Sequence, residues 1–269
     1  MRTSLVTLLA SMLLAISCAA PERPSPPDRV LFVGNSLTYV GNVPAVFSAL
    51  AEANGRPMPS DMIVKGGATL SERVADGSVA RALSEHRYGW LVIQERGGDL
   101  LCALGPESCR QSRHAIVELA RLAKAEGTRV VMLGSYQPNP VVSRGLVDKE
   151  SAAAARAGVA YVEISESLRH LRDIAPDLAW FASDGVHPGK DLVLLDAMRL
   201  HQVMRGRLPT PAPLTVRAPI YGISSGLDAV PRASDASPPR PDTLPEARYD
   251  AATMRTIFDA VRSMSDGGK

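Results

Sequence analysis

Ser36 stands just past a short apolar run and a glycine, in Val33-Gly34-Asn35-Ser36-Leu37-Thr38, and far downstream the chain reads Asp184-Gly185-Val186-His187-Pro188. A serine hydroxyl is a weak nucleophile until an imidazole takes its proton, and that imidazole needs a carboxylate to hold it in the right tautomer. Asp184 and His187 are three apart, so one loop can present both, with Gly185 giving the bend and Pro188 stiffening the exit. Alone, a serine at a strand exit is equally an ordinary turn residue. The Asp-x-x-His block is what points to nucleophilic catalysis.

A second serine competes. Gly222-Ile223-Ser224-Ser225-Gly226 matches the Gly-x-Ser-x-Gly nucleophile elbow, which requires its histidine later in the chain. No histidine follows His201, so the match fails on chain order. His86, His114, His170 and His201 fall singly in segments of helical pattern, and no His-Glu-x-x-His or Cys–His cluster implies a metal. There is no Walker loop, and Gly97-Gly98 does not fit a dinucleotide fingerprint, so no cofactor is implied.

These side chains need a frame. Apolar runs alternate with helix-period segments: Val30–Val33 then Pro44–Asn54, Met62–Val64 then Ser71–His86, Trp90–Ile93 then Arg110–Glu126. Val130–Leu133 then Leu146–Ala157, and Val159–Ile164 then Ser165–Ile174, complete five repeats. The runs are continuous rather than alternating in polarity, as in strands covered on both faces of a parallel sheet. The pattern predicts a doubly wound α/β sandwich, with ligands at the carboxyl ends of its strands. A further helix is expected over Asp191–Arg205. The region 210–245, rich in Pro and Ser, reads as an irregular, partly mobile excursion ahead of a last amphipathic helix, Ala251–Met264, able to dock on the same domain.

The two blocks around Ser36 and Asp184–His187, in that order on a five-unit α/β pattern, resemble the GDSL/SGNH hydrolases. The resemblance spans most of 29–207. It implies a flavodoxin-like three-layer sandwich with a five-stranded parallel sheet, and it makes Ser36, Asp184 and His187 a catalytic triad. It also implies an oxyanion hole from the Ser36 backbone N–H, a glycine after the second strand and an amide side chain after the third. Within Val64-Lys65-Gly66-Gly67-Ala68-Thr69, Gly67 aligns best with the family glycine. The third block departs from the family, which has Gly-x-Asn-Asp where this chain reads Ile93-Gln94-Glu95-Arg96-Gly97-Gly98-Asp99. Gln94 carries the same amide on a longer arm. It either donates to the oxyanion or ties loops together.

The first residues read as a targeting segment: Arg2, an apolar run over 5–16, then Ser17, Cys18, Ala19 and Ala20. Cleavage near Ala20 and a bacterial lipoprotein cut before Cys18 both fit. The lipoprotein is favoured, although Ala15 stands where a lipobox usually has Leu. The expected organisation is a signal peptide over 1–17, a Pro-rich linker over 18–28, a hydrolase domain over 29–208, and the excursion with its helix over 209–269. A periplasmic or extracellular location follows, with membrane contact only through a lipid on Cys18. In an oxidising compartment Cys102 and Cys109 are expected to form a loop disulfide.

The charges nearly cancel, 30 Lys+Arg against 28 Asp+Glu, which leaves no electrostatic footprint for nucleic acid. The expected activity is hydrolysis of acetyl or short-acyl esters, on a small molecule or carbohydrate. An acyltransferase using the same triad and a non-catalytic binding lipoprotein are the alternatives.

Overall fold

The computed structural model describes residues 28–236 and 242–266. The expected signal segment, Cys18 and nearly all of the linker lie outside the described residues. No described helix is long and apolar enough to cross a membrane.

Five strands, β1 (Val30–Gly34), β2 (Ser60–Val64), β3 (Trp90–Ile93), β4 (Arg129–Leu133) and β5 (Ala160–Val162), pair in parallel in the order β5-β4-β3-β1-β2. This is the flavodoxin-like order, in which the connection reverses direction between β1 and β3 and opens a crevice at their carboxyl ends. Side chains alternate across the sheet. Val30, Phe32, Trp90, Val92, Val131 and Leu133 join one core, and Leu31, Val33, Leu91, Ile93 and Met132 join the other. That double burial explains the unbroken apolar runs.

Helices cover both faces. The first core takes in α1 (Ser36–Tyr39), α2 (Val43–Ala53), α7 (Ser165–Ile174), α8 (Lys190–Arg205) and α9 (Ala251–Asp266). The second takes in α3 (Leu70–Ala75), α4 (Ser78–Glu85), α5 (Pro106–Ala125) and α6 (Pro140–Ala157). The single helix expected over 71–86 is two helices, because Gly77 adopts φ +66° and turns the chain between them.

The five-stranded sheet needs correction as well. The excursion contributes a sixth strand, β7 (Arg232–Ala233), antiparallel to β2 at the sheet edge. It also forms a separate antiparallel pair, β6 (Leu214–Val216) with β8 (Ala247–Tyr249). Its described part is packed rather than loose: Leu214, Val216, Tyr221, Leu227 and Tyr249 are buried in the first core. Met254, Ile257 and Val261 seat α9 there too. A disulfide joins Cys102, in the loop after β3, to Cys109 in the first turn of α5.

Candidate active site

β1 delivers Ser36. Asn35 caps α1 by accepting a hydrogen bond from Leu37 N at 3.0 Å, which makes Ser36 the first helical residue and leaves its own N–H outside the cap. Gly34 is required by close approach, since a Cβ there would lie 2.1 Å from Thr38 Oγ1. Thr38 Oγ1 in turn donates to Gln94 Oε1 at 2.7 Å, tying α1 to the end of β3. Ser36 itself is half-buried at the switch point between β1 and β3.

The second block is a hairpin. Ala182 N donates to His187 O and Gly189 N to Trp180 O, both at 2.9 Å, and Phe181 bridges Pro188, so the tip 183–186 projects into solvent. Asp184 organises that tip with one oxygen and the histidine with the other. Oδ1 accepts from Val186 N and His187 N, each at 3.0 Å, and Oδ2 lies 2.5 Å from His187 Nδ1. Burial is the largest single influence and raises the Asp184 pKa, but the His187 bond and the two backbone donors together outweigh it and hold the carboxyl at about 2. An ionised carboxylate only accepts, so Nδ1 carries the proton of this bond. No hydrogen bond joins Ser36 Oγ to His187 among the described residues.

Gly67 lies exposed in a turn, Lys65–Ala68, closed by Ala68 N donating to Lys65 O at 3.1 Å. Its φ of +68° is the left-handed conformation that favours glycine at this position of a turn. The turn bond uses neither polar group of Gly67, so its N–H is outside it. Thr69 begins α3 through a capping box with Glu72.

Gln94 makes the loop ties that the sequence offered as one of its two roles. Besides accepting from Thr38, it donates through Nε2 to Gly134 O at 3.2 Å. At 1% exposure the amide lies beneath the surface where a substrate would rest. The extra methylene carries it across the strand tops instead of out of them.

Four side chains around these loops escaped the sequence reading. Tyr136, past β4, donates its hydroxyl to Val186 O at 2.9 Å and so braces the catalytic hairpin; burial, with Asp196 and Asp184 nearby, raises its pKa. Arg96 and Asp99 pair through two bonds of 2.7 Å beside the Gly67 turn. Their spacing of three residues was the available signal. Glu95 between the strand and this pair is buried, and burial together with Asp99 pushes it up to about 7 against its N–H donors.

A cavity of about 380 Å³ adjoins the hairpin, lined among others by Val40, Phe181, Pro188, Ile220, Ile223 and Tyr249. One wall is hairpin, the other excursion. A larger cavity of about 550 Å³ reaches Arg29, Ser60 and Asp61, at the amino ends of β1 and β2 and hence the opposite edge from Ser36. Ser224 has no histidine partner among the described residues: from a short 3₁₀ turn its hydroxyl donates to Asp242 Oδ2 at 2.7 Å.

No family model and no curated protein sequence matches the chain. Solved structures do. TesA superposes over 66% of this chain and 98% of its own, at 19% identity and a TM-score of 0.51. The acetylxylan esterase Axe2 from Geobacillus stearothermophilus covers 65% of this chain and 92% of its own, at 14% identity and 0.52. A protein described as a GDSL-like lipase, from Parabacteroides merdae, covers 66% and 96%, at 14% and 0.51. The fold is that of the GDSL/SGNH hydrolases. Ser36, the Gly67 turn and the Asp184–His187 hairpin all belong to the carboxyl edge of this SGNH sheet, and the disulfide loop and the start of α6 extend from the same edge.

Proposed function

We propose that the protein is a serine ester hydrolase in which Ser36 is the nucleophile, His187 the general base and Asp184 the group that orients it. The observation that carries this reading is the Asp184 carboxylate, which fixes its own loop with one oxygen and the Nδ1–H of His187 with the other. His187 Nε2 takes the Ser36 proton as Oγ attacks the ester carbonyl, the N–H groups of Ser36 and Gly67 receive the oxyanion, and the protonated imidazole hands its proton to the leaving alcohol. Water, deprotonated by the same imidazole, then releases the acid from the acyl-enzyme.

The neighbours support the chemical class. They include esterases and a GDSL-like lipase, and catalytic mutants of Axe2 have been made at a serine and an aspartate. The mixed apolar and aromatic lining beside the hairpin suits an acetyl or short-acyl ester, on a carbohydrate or a small alcohol. Export and anchoring through Cys18 are part of the proposal: Cys18→Ala should move the protein from the membrane fraction to the soluble one.

Hydrolysis of p-nitrophenyl acetate, butyrate and longer esters, run beside acetylated glycans, tests the activity, with a fluorophosphonate probe to trap the nucleophile. Turnover with a probe adduct on Ser36 is expected. Product that forms only with an added sugar acceptor would make the protein an acyltransferase, and no turnover with no adduct would make it a binding protein.

A further inference from the structure

The loop after β3 is built around charges that the triad does not use. Asp99 is fully buried, and Arg96 grips it with Nε donating to Oδ2 and Nη2 to Oδ1, both at 2.7 Å. Ser108 Oγ, at the start of α5, donates to the same Oδ1 at 2.7 Å and fixes the carboxylate to a long helix. Glu95, buried next door, accepts from Arg96 N and from Leu70 N at the start of α3. Arg96 therefore stands on a rigid base. Its third direction, Nη1, donates to Gly67 O at 3.1 Å.

That last bond is unusual in its target. Two bonds to a buried carboxylate would suffice to place an arginine, yet the third reaches across to the exposed glycine of a different loop. A turn closed by one hydrogen bond, with glycines at both central positions, is soft by itself. Fixing Gly67 O restrains rotation about the Gly67 backbone, and with it the direction of the Gly67 N–H on the same Cα. Only a planar fork can meet both partners at once, because Nε and Nη2 lie on one side of the guanidinium and Nη1 on the other.

We propose that Arg96 is a positioning residue for catalysis, which locks the Lys65–Ala68 turn onto buried Asp99 so that the Gly67 N–H is held ready for the oxyanion. The proposal rests on the reading of Gly67 as an oxyanion donor. In this chain the third-block loop acts through the second, stiffening the glycine that donates to the hole.

Arg96→Ala and Arg96→Lys are the test, with kcat and KM for p-nitrophenyl acetate measured beside backbone hydrogen exchange over 65–69 and thermal melting. Because a misdirected donor costs rate rather than ground-state binding, both variants should lose about 10- to 100-fold in kcat with KM moving by roughly threefold at most. Exchange at Ala68, whose N–H closes the turn, should quicken. Lysine keeps the charge without the fork, so a Lys variant at wild-type kcat would overturn the proposal, and it remains available should Arg96→Ala fail to fold. Unchanged exchange with unchanged kcat would refute the clamp itself. Faster exchange with unchanged kcat would overturn the proposal differently, by showing a real clamp on a glycine that is not an oxyanion donor.

Discussion

Asp184 Oδ1 holds two backbone N–H groups while Oδ2 holds the imidazole, and the two jobs can be separated by substitution. Asp184→Asn keeps an oxygen for the loop but presents an NH₂ to Nδ1, which forces the proton onto Nε2 and removes the base. The expected result is a fall in kcat of about 10³–10⁴-fold with the melting temperature nearly unchanged. A mild kcat loss would mean that the histidine does not depend on this carboxylate. Gln94 makes the opposite prediction. Gln94→Ala leaves Thr38 Oγ1 and Gly134 O without their partner, each at about 1–3 kcal/mol for a buried group, so urea unfolding should register a clear loss of stability. Unaltered stability with a large kcat loss would return the amide to the oxyanion hole. The proposed triad was legible because its residues lie in two compact blocks whose chemistry is local. The bonds of Gln94 to Thr38 and Gly134, of Tyr136 to Val186 and of Arg96 to Gly67 were not, since these partners are 29 to 56 residues away and only the folded sheet brings them together.

At the scale of elements, the five parallel strands were readable because each is buried on both faces and leaves an unbroken apolar run. β6, β7 and β8 are two or three residues long, too short to show a period, and β7 pairs with β2 from far along the chain. Burial also leaves a titration signature in the connections. Glu150 of α6 accepts from Ser135 N, Ser135 Oγ and Tyr161 Oη, yet burial pushes it up to about 7 despite those donors. Its folded pKa thus lies above the ordinary value of 4.5 for the unfolded chain. Between about pH 4.5 and 7 the folded state binds the extra proton, so this contribution to stability is full below that window and is lost as pH rises through it. Glu95 acts in the same direction. Glu150→Gln should flatten the decline in melting temperature between pH 5 and pH 7 relative to wild type, and parallel pH profiles would show that Glu150 ionises freely in the fold.

The whole molecule departs from a bare SGNH sandwich in its C-terminal segment, which returns to brace α1, where Ser36 sits, and the turn that follows it. Asn42 Nδ2 donates to Pro219 O at 2.7 Å and Ser234 O at 2.8 Å, Gly41 N donates to Tyr221 O at 2.8 Å, and Tyr39 and Tyr221 meet edge-on. The segment also supplies Ile220, Ile223 and Tyr249 to the cavity beside the catalytic hairpin. No composition rule reads such docking, because the contacts are scattered single residues. If this wall shapes the acyl site, Ile223→Trp should lower turnover of octanoyl esters while acetyl esters proceed nearly as before. Equal effects on both chain lengths would place the wall outside the acyl path. The central claim remains the nucleophile, and it is tested most directly by kcat of Ser36→Ala for p-nitrophenyl acetate, measured on protein whose melting temperature matches wild type. The account predicts loss of turnover to the background rate, with Ser224→Ala fully active beside it; a folded Ser36→Ala protein that still turns over the ester at the wild-type rate would contradict it.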